Sequence, residues 1–195
     1  MEKPIDIKKL NHALSLLNEQ LVVTDAPVTE IVVCGGSALI ALSLVPRTTQ
    51  DVDIIAMMKS GILTDPEPLP EYLVNAANKV GASLDLPADW LNNGPASQFR
   101  MGLPDGLAER LHRIEIGEKL AVYYIDRIDQ IFFKTFASAD RGGYHVRDLM
   151  QLSPTEEELA AAAKWTLTQD VSPEFRKILK DMFLKLGWKN VSAGI

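Results

Sequence analysis

Between Glu30 and Ala56 the chain reads as strand, glycine turn, helix and second strand, and this order limits the fold more than any other stretch. Glu30 to Cys34 holds the β-branched run Ile31-Val32-Val33, the composition of a short buried strand. Gly35-Gly36 stops that strand, and Ser37 to Leu44 reads as a helix closed by Pro46. Asp51-Val-Asp-Ile-Ile-Ala56 then alternates like a second strand. The pattern points to an α/β fold.

The flanking segments extend this reading. Leu10, Ala13, Leu14 and Leu17 recur at helical spacing, predicting a first helix that ends near Gln20. The proline- and glycine-rich stretch from Gly61 to Pro70 reads as a loop, Glu71 to Val80 as a helix, and Ala88 to Gly106 again as loop. Leu111 to Ile116 and Leu120 to Ile125 alternate, predicting two strands in a hairpin around Gly117-Glu118. Helices follow. One covers Arg127 to Ala139 and is interrupted at Gly142-Gly143; a second begins with the capping box Thr155-Glu-Glu-Glu158; a third starts at Ser172-Pro173 and stops near Gly187.

The 195 residues suffice for one compact α/β domain, or for a small sheet domain with a helical appendage. The division expected is a sheet core over 1–126 and a helical portion over 127–195. Apolar residues at 47% and charged residues at 24% are those of a soluble globular chain. No run is long enough to span a membrane and the N-terminus lacks an apolar signal region, so a cytoplasmic location is expected. A single cysteine, Cys34, precludes an intrachain disulfide and a cysteine-based zinc cluster. The net charge of −6 argues against broad attachment to nucleic acid. Arg176, Lys177, Lys180, Lys185 and Lys189 form a local basic stretch, read either as a solvated helix face or as a binding patch.

On a strand, Asp51 and Asp53 project from one face while Val52 and Ile54 point to the other. Carboxylates that close repel unless a cation lies between them. Hard oxygen donors of this kind suit Mg²⁺, or Mn²⁺, with substrate phosphates and water completing the shell. The other reading is a strand-end pair facing water. Gly35-Gly36-Ser37, at the end of the neighbouring strand, can bring backbone N–H groups close to a phosphate, with the Ser37 hydroxyl as a further donor, or can be a turn alone. Arg47 either reaches a phosphate or braces the turn against Asp51. Trp90 either stacks on a base or anchors packing. His12, His112 and His145 have no ligand spacing.

Taken together, Val33-Cys-Gly-Gly-Ser-Ala-Leu39 and Arg47-Thr-Thr-Gln-Asp51-Val-Asp-Ile54 resemble the polymerase-β-type nucleotidyltransferases over about residues 30 to 56. The Arg-x-Thr-x-Asp lead-in is especially similar to the minimal nucleotidyltransferases that include AbiEii-type toxins. Phe132-Phe-Lys134-Thr-Phe-Ala137, Arg141 and Arg147-Asp148-Leu149 look like the remaining motifs of that group and extend the resemblance to about residue 152.

The resemblance implies a small twisted mixed sheet with the site on one edge, backed by helices, and a helical C-terminal portion that completes the site. It also implies a nucleoside triphosphate substrate, and Lys134 and Asp148 as active-site residues beside Asp51 and Asp53. Lys134 would neutralise phosphate oxygens, and Asp148 would take the acceptor's proton. Read from periodicity alone, Arg127, Gln130, Lys134, Ser138 and Arg141 form one stripe suited to a solvated face, and Asp148 would pair with Arg147 or Arg141. The acceptor that the resemblance implies is RNA, such as a tRNA end, with an antitoxin protein as partner in a toxin–antitoxin setting; a small hydroxylated molecule is a separate alternative that keeps the chemistry and changes the acceptor. A different class is a nucleotide- or partner-binding protein on the same fold. The motivation for it is that no third carboxylate is evident; Glu115 and Asp85 are the candidates for that place.

Overall fold

The computed structural model describes residues 4–195, and their helices and strands fall into two compact units, each described separately. The first comprises Met1–Arg100 with Gly106–Ile125, and the second Met101–Asp105 with Asp126–Ile195. None of the helices among the described residues is long and apolar enough to cross a membrane.

The first unit runs α1 (Ile7–Val23), β1 (Thr29–Cys34), α2 (Gly35–Ala41), β2 (Val52–Lys59), β3 (Ile62–Thr64), α3 (Glu71–Leu84), β4 (Leu91–Asn92), then α4 (Ala96–Met101), whose last residue falls in the second unit; β5 (His112–Glu115) and β6 (Leu120–Tyr124) complete it. The strands form a mixed sheet in the order β3-β2-β1-β6-β5, with β4 paired to β2. β1 lies antiparallel to β2 and parallel to β6, and β5 and β6 make the hairpin expected around Gly117. The outer edge of β2 is shared: β3 pairs with Met57 to Lys59, while β4 runs parallel beside Val52 and Asp53. Neither β3 nor β4 is foreseen from sequence. Each is very short, so its pairing with β2 rather than its own pattern makes it a strand.

One face of this sheet is closed by α1 and α3. Leu10, Ala13, Leu14, Leu17 and Leu21 of α1 and Leu73, Ala76, Ala77 and Val80 of α3 pack with Ile31, Val33, Val52, Ile54 and Val122 in one core. The register of β1 on β2 shifts between Val32 and Val33, where the β2 partner steps from Ala56 to Ile54. This bulge lets both Ile54 and Met57 join the same core although they are an odd number of residues apart. Trp90 is almost wholly buried at 1% exposure, and its indole N–H donates to Ala77 O at 2.9 Å. It is therefore a packing anchor, not a base-stacking platform. Its carbonyl accepts from Val52 N at 2.6 Å, which fastens β4 to β2.

The second unit is helical: α5 (Arg127–Asp140), α6 (Tyr144–Gln151), α7 (Glu156–Gln169), α8 (Pro173–Lys185) and α9 (Lys189–Ala193). Its caps follow the sequence closely. Thr155 and Glu158 form the reciprocal capping box on α7, and Ser172 caps α8 with Pro173 in its first turn. Arg127 donates to Glu158 at 2.7 Å and holds that carboxyl below its ordinary range. Phe132 and Phe133 of α5 flank Trp165 of α7, and Phe136 meets Phe175 of α8. Gly142 and Gly143 take positive φ values of 65° and 61°, and helix resumes at once as α6. Trp90→Ala removes a buried anchor and is expected to destabilise the first unit by roughly 3–5 kcal/mol, measured as a lower urea midpoint.

Candidate active site

The apolar side of β2 fixes where its acidic side points. Val52 and Ile54 are buried at 1% and 0% exposure, so Asp51 and Asp53 turn to the opposite face and stay half-buried. Across the ladder Asp53 pairs with Cys34 of β1 on one side and with Asn92 of β4 on the other. Asp53 thus lies near the start of β2, inside the sheet, and Asp51 immediately precedes that strand. The expectation of an edge site is corrected here, because β4 covers that flank of β2 beside Asp53.

The two glycines have separate tasks. Gly35 has φ +70°, and a Cβ placed on it would lie 2.6 Å from Asp53 Oδ2, so the carboxylate rests directly on the backbone of the turn. A Cβ on Gly36 would overlap Thr49 Oγ1 and come within 3.4 Å of Arg47 Nη2. The Arg47 guanidinium therefore sits against the glycine turn, with its Nε donating to Thr48 O at 2.8 Å. Ser37 is fully buried and its hydroxyl donates to Cys34 O at 3.3 Å. That hydrogen bond ties the Ser37 side chain to the turn.

Thr49 was not singled out from sequence, although the Arg-x-Thr-x-Asp lead-in contains it. Its side chain is buried and its hydroxyl donates to Asp51 Oδ1 at 3.2 Å. Two backbone hydrogen bonds with Ile5, at 2.7 and 2.9 Å, hold Thr49 in place. A chain of contacts thus runs from the N-terminal segment through Thr49 to Asp51.

In the second unit, Lys134 and Asp148 form an ion pair at 2.8 Å with side-chain exposures of 5% and 4%. The Lys134 ammonium also lies 5.7 Å from the centre of the Tyr144 ring. Gln130, Lys134 and Ser138 are all buried, whereas Arg141 is exposed. The middle of the stripe predicted as a solvated face, Gln130, Lys134 and Ser138, therefore looks inward, and Lys134 is a partner of Asp148. α6, folding back after Gly143, supplies the carboxylate that makes burial of the lysine tolerable.

Among the described residues no third carboxylate forms a metal-type cluster with Asp51 and Asp53. Glu115 is on β5, separated from β2 by β1 and β6, and pairs with Arg113 at 3.2 Å. Asp85 ends α3 in the left-handed conformation. Among the described residues no three His, Cys, Asp or Glu side chains cluster as a metal site. The donor set nevertheless suits a hard divalent cation that completes its shell with phosphate and water: two carboxylates on one face, one oriented by Thr49 and the other seated where only glycine fits. Cys34 is buried, His12 and His112 are exposed, and the lysines of α8 are exposed.

Gly35→Ala combines a left-handed φ with overlap on Asp53, and is expected to destabilise the first unit by roughly 1–3 kcal/mol, read from thermal unfolding. Lys134→Met leaves Asp148 buried without its cation and is expected to lose about 3–5 kcal/mol, with the Lys134→Met/Asp148→Leu double variant recovering most of the loss. Urea denaturation of the three proteins checks this.

The comparisons with known proteins agree with this geometry at the level of family. The model described as "Nucleotidyltransferase of unknown function (DUF6036)" matches residues 8–153, from α1 to just past α6, and so spans all eight candidate residues. No curated protein and no solved structure matches the chain. With the match covering most of its length, the chain belongs to the DUF6036 family of nucleotidyltransferases, whose function is unknown.

Proposed function

We propose that the protein transfers a nucleoside monophosphate from a nucleoside triphosphate to an acceptor hydroxyl, with Mg²⁺ or Mn²⁺ held by Asp51 and Asp53. The observation that carries this reading is the seating of Asp53 on the Gly35 backbone, with Arg47 beside Gly36, in a chain of a nucleotidyltransferase family. When bound, the cation supplies positive charge to the triphosphate oxygens and orients the α-phosphorus. Backbone N–H groups at Gly36 and Ser37 and the Arg47 guanidinium receive the outer phosphates. The acceptor oxygen bonds to the α-phosphorus as the bond to the β-phosphate's bridging oxygen breaks; pyrophosphate leaves and the hydroxyl proton passes to a base. Positioning and charge neutralisation supply most of the rate.

Lys134 and Asp148 enter through resemblance to AbiEii-type enzymes. In this reading Lys134 provides charge for phosphate oxygens, and Asp148 the acceptor's base. The same resemblance motivates RNA, a tRNA end included, as acceptor, and an antitoxin protein as partner in a toxin–antitoxin setting. A small hydroxylated acceptor keeps the same chemistry. Among the described residues no third carboxylate clusters with the pair, and this motivates one further reading, a nucleotide-binding or partner-binding protein on the same fold that does not turn over.

Incubation with each α-labelled nucleoside triphosphate, Mg²⁺ and total cellular RNA tests the proposal. Label is expected on RNA from one nucleotide and is expected to fall by at least about a hundredfold in Asp51→Ala/Asp53→Ala. Label on an added aminoglycoside instead would identify a small-molecule acceptor. Triphosphate binding with no transfer to any acceptor would sink the enzymatic reading.

A further inference from the structure

The two outer flanks of the sheet are protected unequally. On one, β3 leads into a segment holding Pro66, Pro68 and Pro70, and proline cannot donate to a further strand. The other flank is β5, which ends the strand order, carries no proline and is exposed at every residue from His112 to Glu115. The ladder assigns its outward groups. Ile116 N donates to Leu120 O at 3.0 Å, in step with the register that sets Ile114 opposite Val122. Bonded and non-bonded positions alternate along an antiparallel pair, so Ile114 and Ile116 turn their N–H and C=O groups toward β6, and Arg113 and Glu115 turn theirs outward. The side chains of Arg113 and Glu115 share one face of the sheet. They pair with each other at 3.2 Å with exposures of 46% and 68%, and Arg113 Nε also lies 3.7 Å from Glu30 Oε1. Ile114, on the opposite face, is 40% exposed.

We propose that β5 pairs antiparallel with β5 of a second copy of this chain, about a two-fold axis at Ile114. A second copy is selected because the strand is complementary to itself. In this register Arg113 of each copy stands opposite Glu115 of the other. These are the residues whose backbone groups face outward, so each pair exchanges both of its backbone hydrogen bonds and sets opposite charges together. Ile114 meets its own copy at the non-hydrogen-bonded position, where side chains come closest. Charges on an edge strand ordinarily turn other strands away, but opposite signs placed symmetrically about Ile114 attract a copy of the same strand. The Arg113–Glu115 contact within one chain is an exposed pair that holds little energy and is readily exchanged for the contact between copies. A strand this short places the dimer among weak, reversible associations.

Sedimentation velocity of the full chain from about 10 µM to about 500 µM tests this, with a reversible shift from monomer to dimer expected for wild type. Arg113→Glu and Glu115→Arg, each alone, set like charges opposite one another and are expected to weaken the dimer at least about tenfold. Mixing the two variants restores opposite charges only between unlike chains. A heterodimer at least about tenfold tighter than either variant's homodimer is expected, an outcome that no role of the pair within one strand produces. Amide exchange followed by NMR gives a second measurement on wild type. The Arg113 and Glu115 N–H groups are expected to gain protection as concentration rises, while that of Ile114, bonded to β6, is protected throughout. Should a variant fail to fold, the wild-type exchange still decides. A monomer over the whole range overturns the inference and leaves the edge to a strand of a different protein. A dimer that ignores the charge exchanges, or that forms without protecting the two amides, lies on another surface and overturns it as well.

Discussion

The antiparallel pairing of β1 with β2 is the constraint on which the site depends. It sets Cys34 opposite Asp53, so the residue after Cys34 must pass the carboxylate at a distance that leaves no room for a side chain. Gly35 meets both demands, the left-handed φ and the absent Cβ. The same pairing is secured by the apolar residues on the far face, Val33 and Ile54 among them, which the core covers. The energy that holds Asp53 against the glycine turn therefore comes from apolar burial one residue away on each strand.

Around this pairing the remaining elements of the first unit act as braces. Thr49, tied to Ile5, orients Asp51; Trp90, tied to Ala77, fixes β4 along the flank of Asp53. Both braces are polar groups of buried residues that satisfy their hydrogen bonds within the fold, which gives them direction as well as stability. The second unit handles charge differently. Lys134 and Asp148 are buried and paired with each other, so each is the condition for the other's burial. Such pairs contribute little net stability compared with apolar substitutes of similar volume.

How much was legible varied with the range of the forces involved. The strand, glycine turn, helix and aspartate strand were readable because β-branched runs, glycines and strict alternation are local signals. The capping box at Thr155 and the start of α8 at Ser172-Pro173 were readable for the same reason. β3 and β4 were not, since two or three residues carry no periodicity and become strands only when β2 offers them an edge. The inward direction of Lys134 was also hidden. A polar stripe opposite phenylalanines has the pattern of a solvated face, and only a partner on α6, beyond the glycine pair, turns it into a buried one.

By itself the sequence determined the mixed α/β character, the hairpin at Gly117, the position of most helices and a second strand that carries Asp53 and begins just after Asp51. These follow from propensity and period, which act over a few residues. Tertiary structure alone decided that Gly35 carries Asp53, that Gly36 makes room for Thr49, that the Ser37 hydroxyl bonds to Cys34 O, and that Asn92 stands opposite Asp53 in the ladder. Each of those facts depends on the register between strands distant in sequence. Register is set by the sum of apolar contacts across the whole core, a quantity that no local stretch of the chain contains.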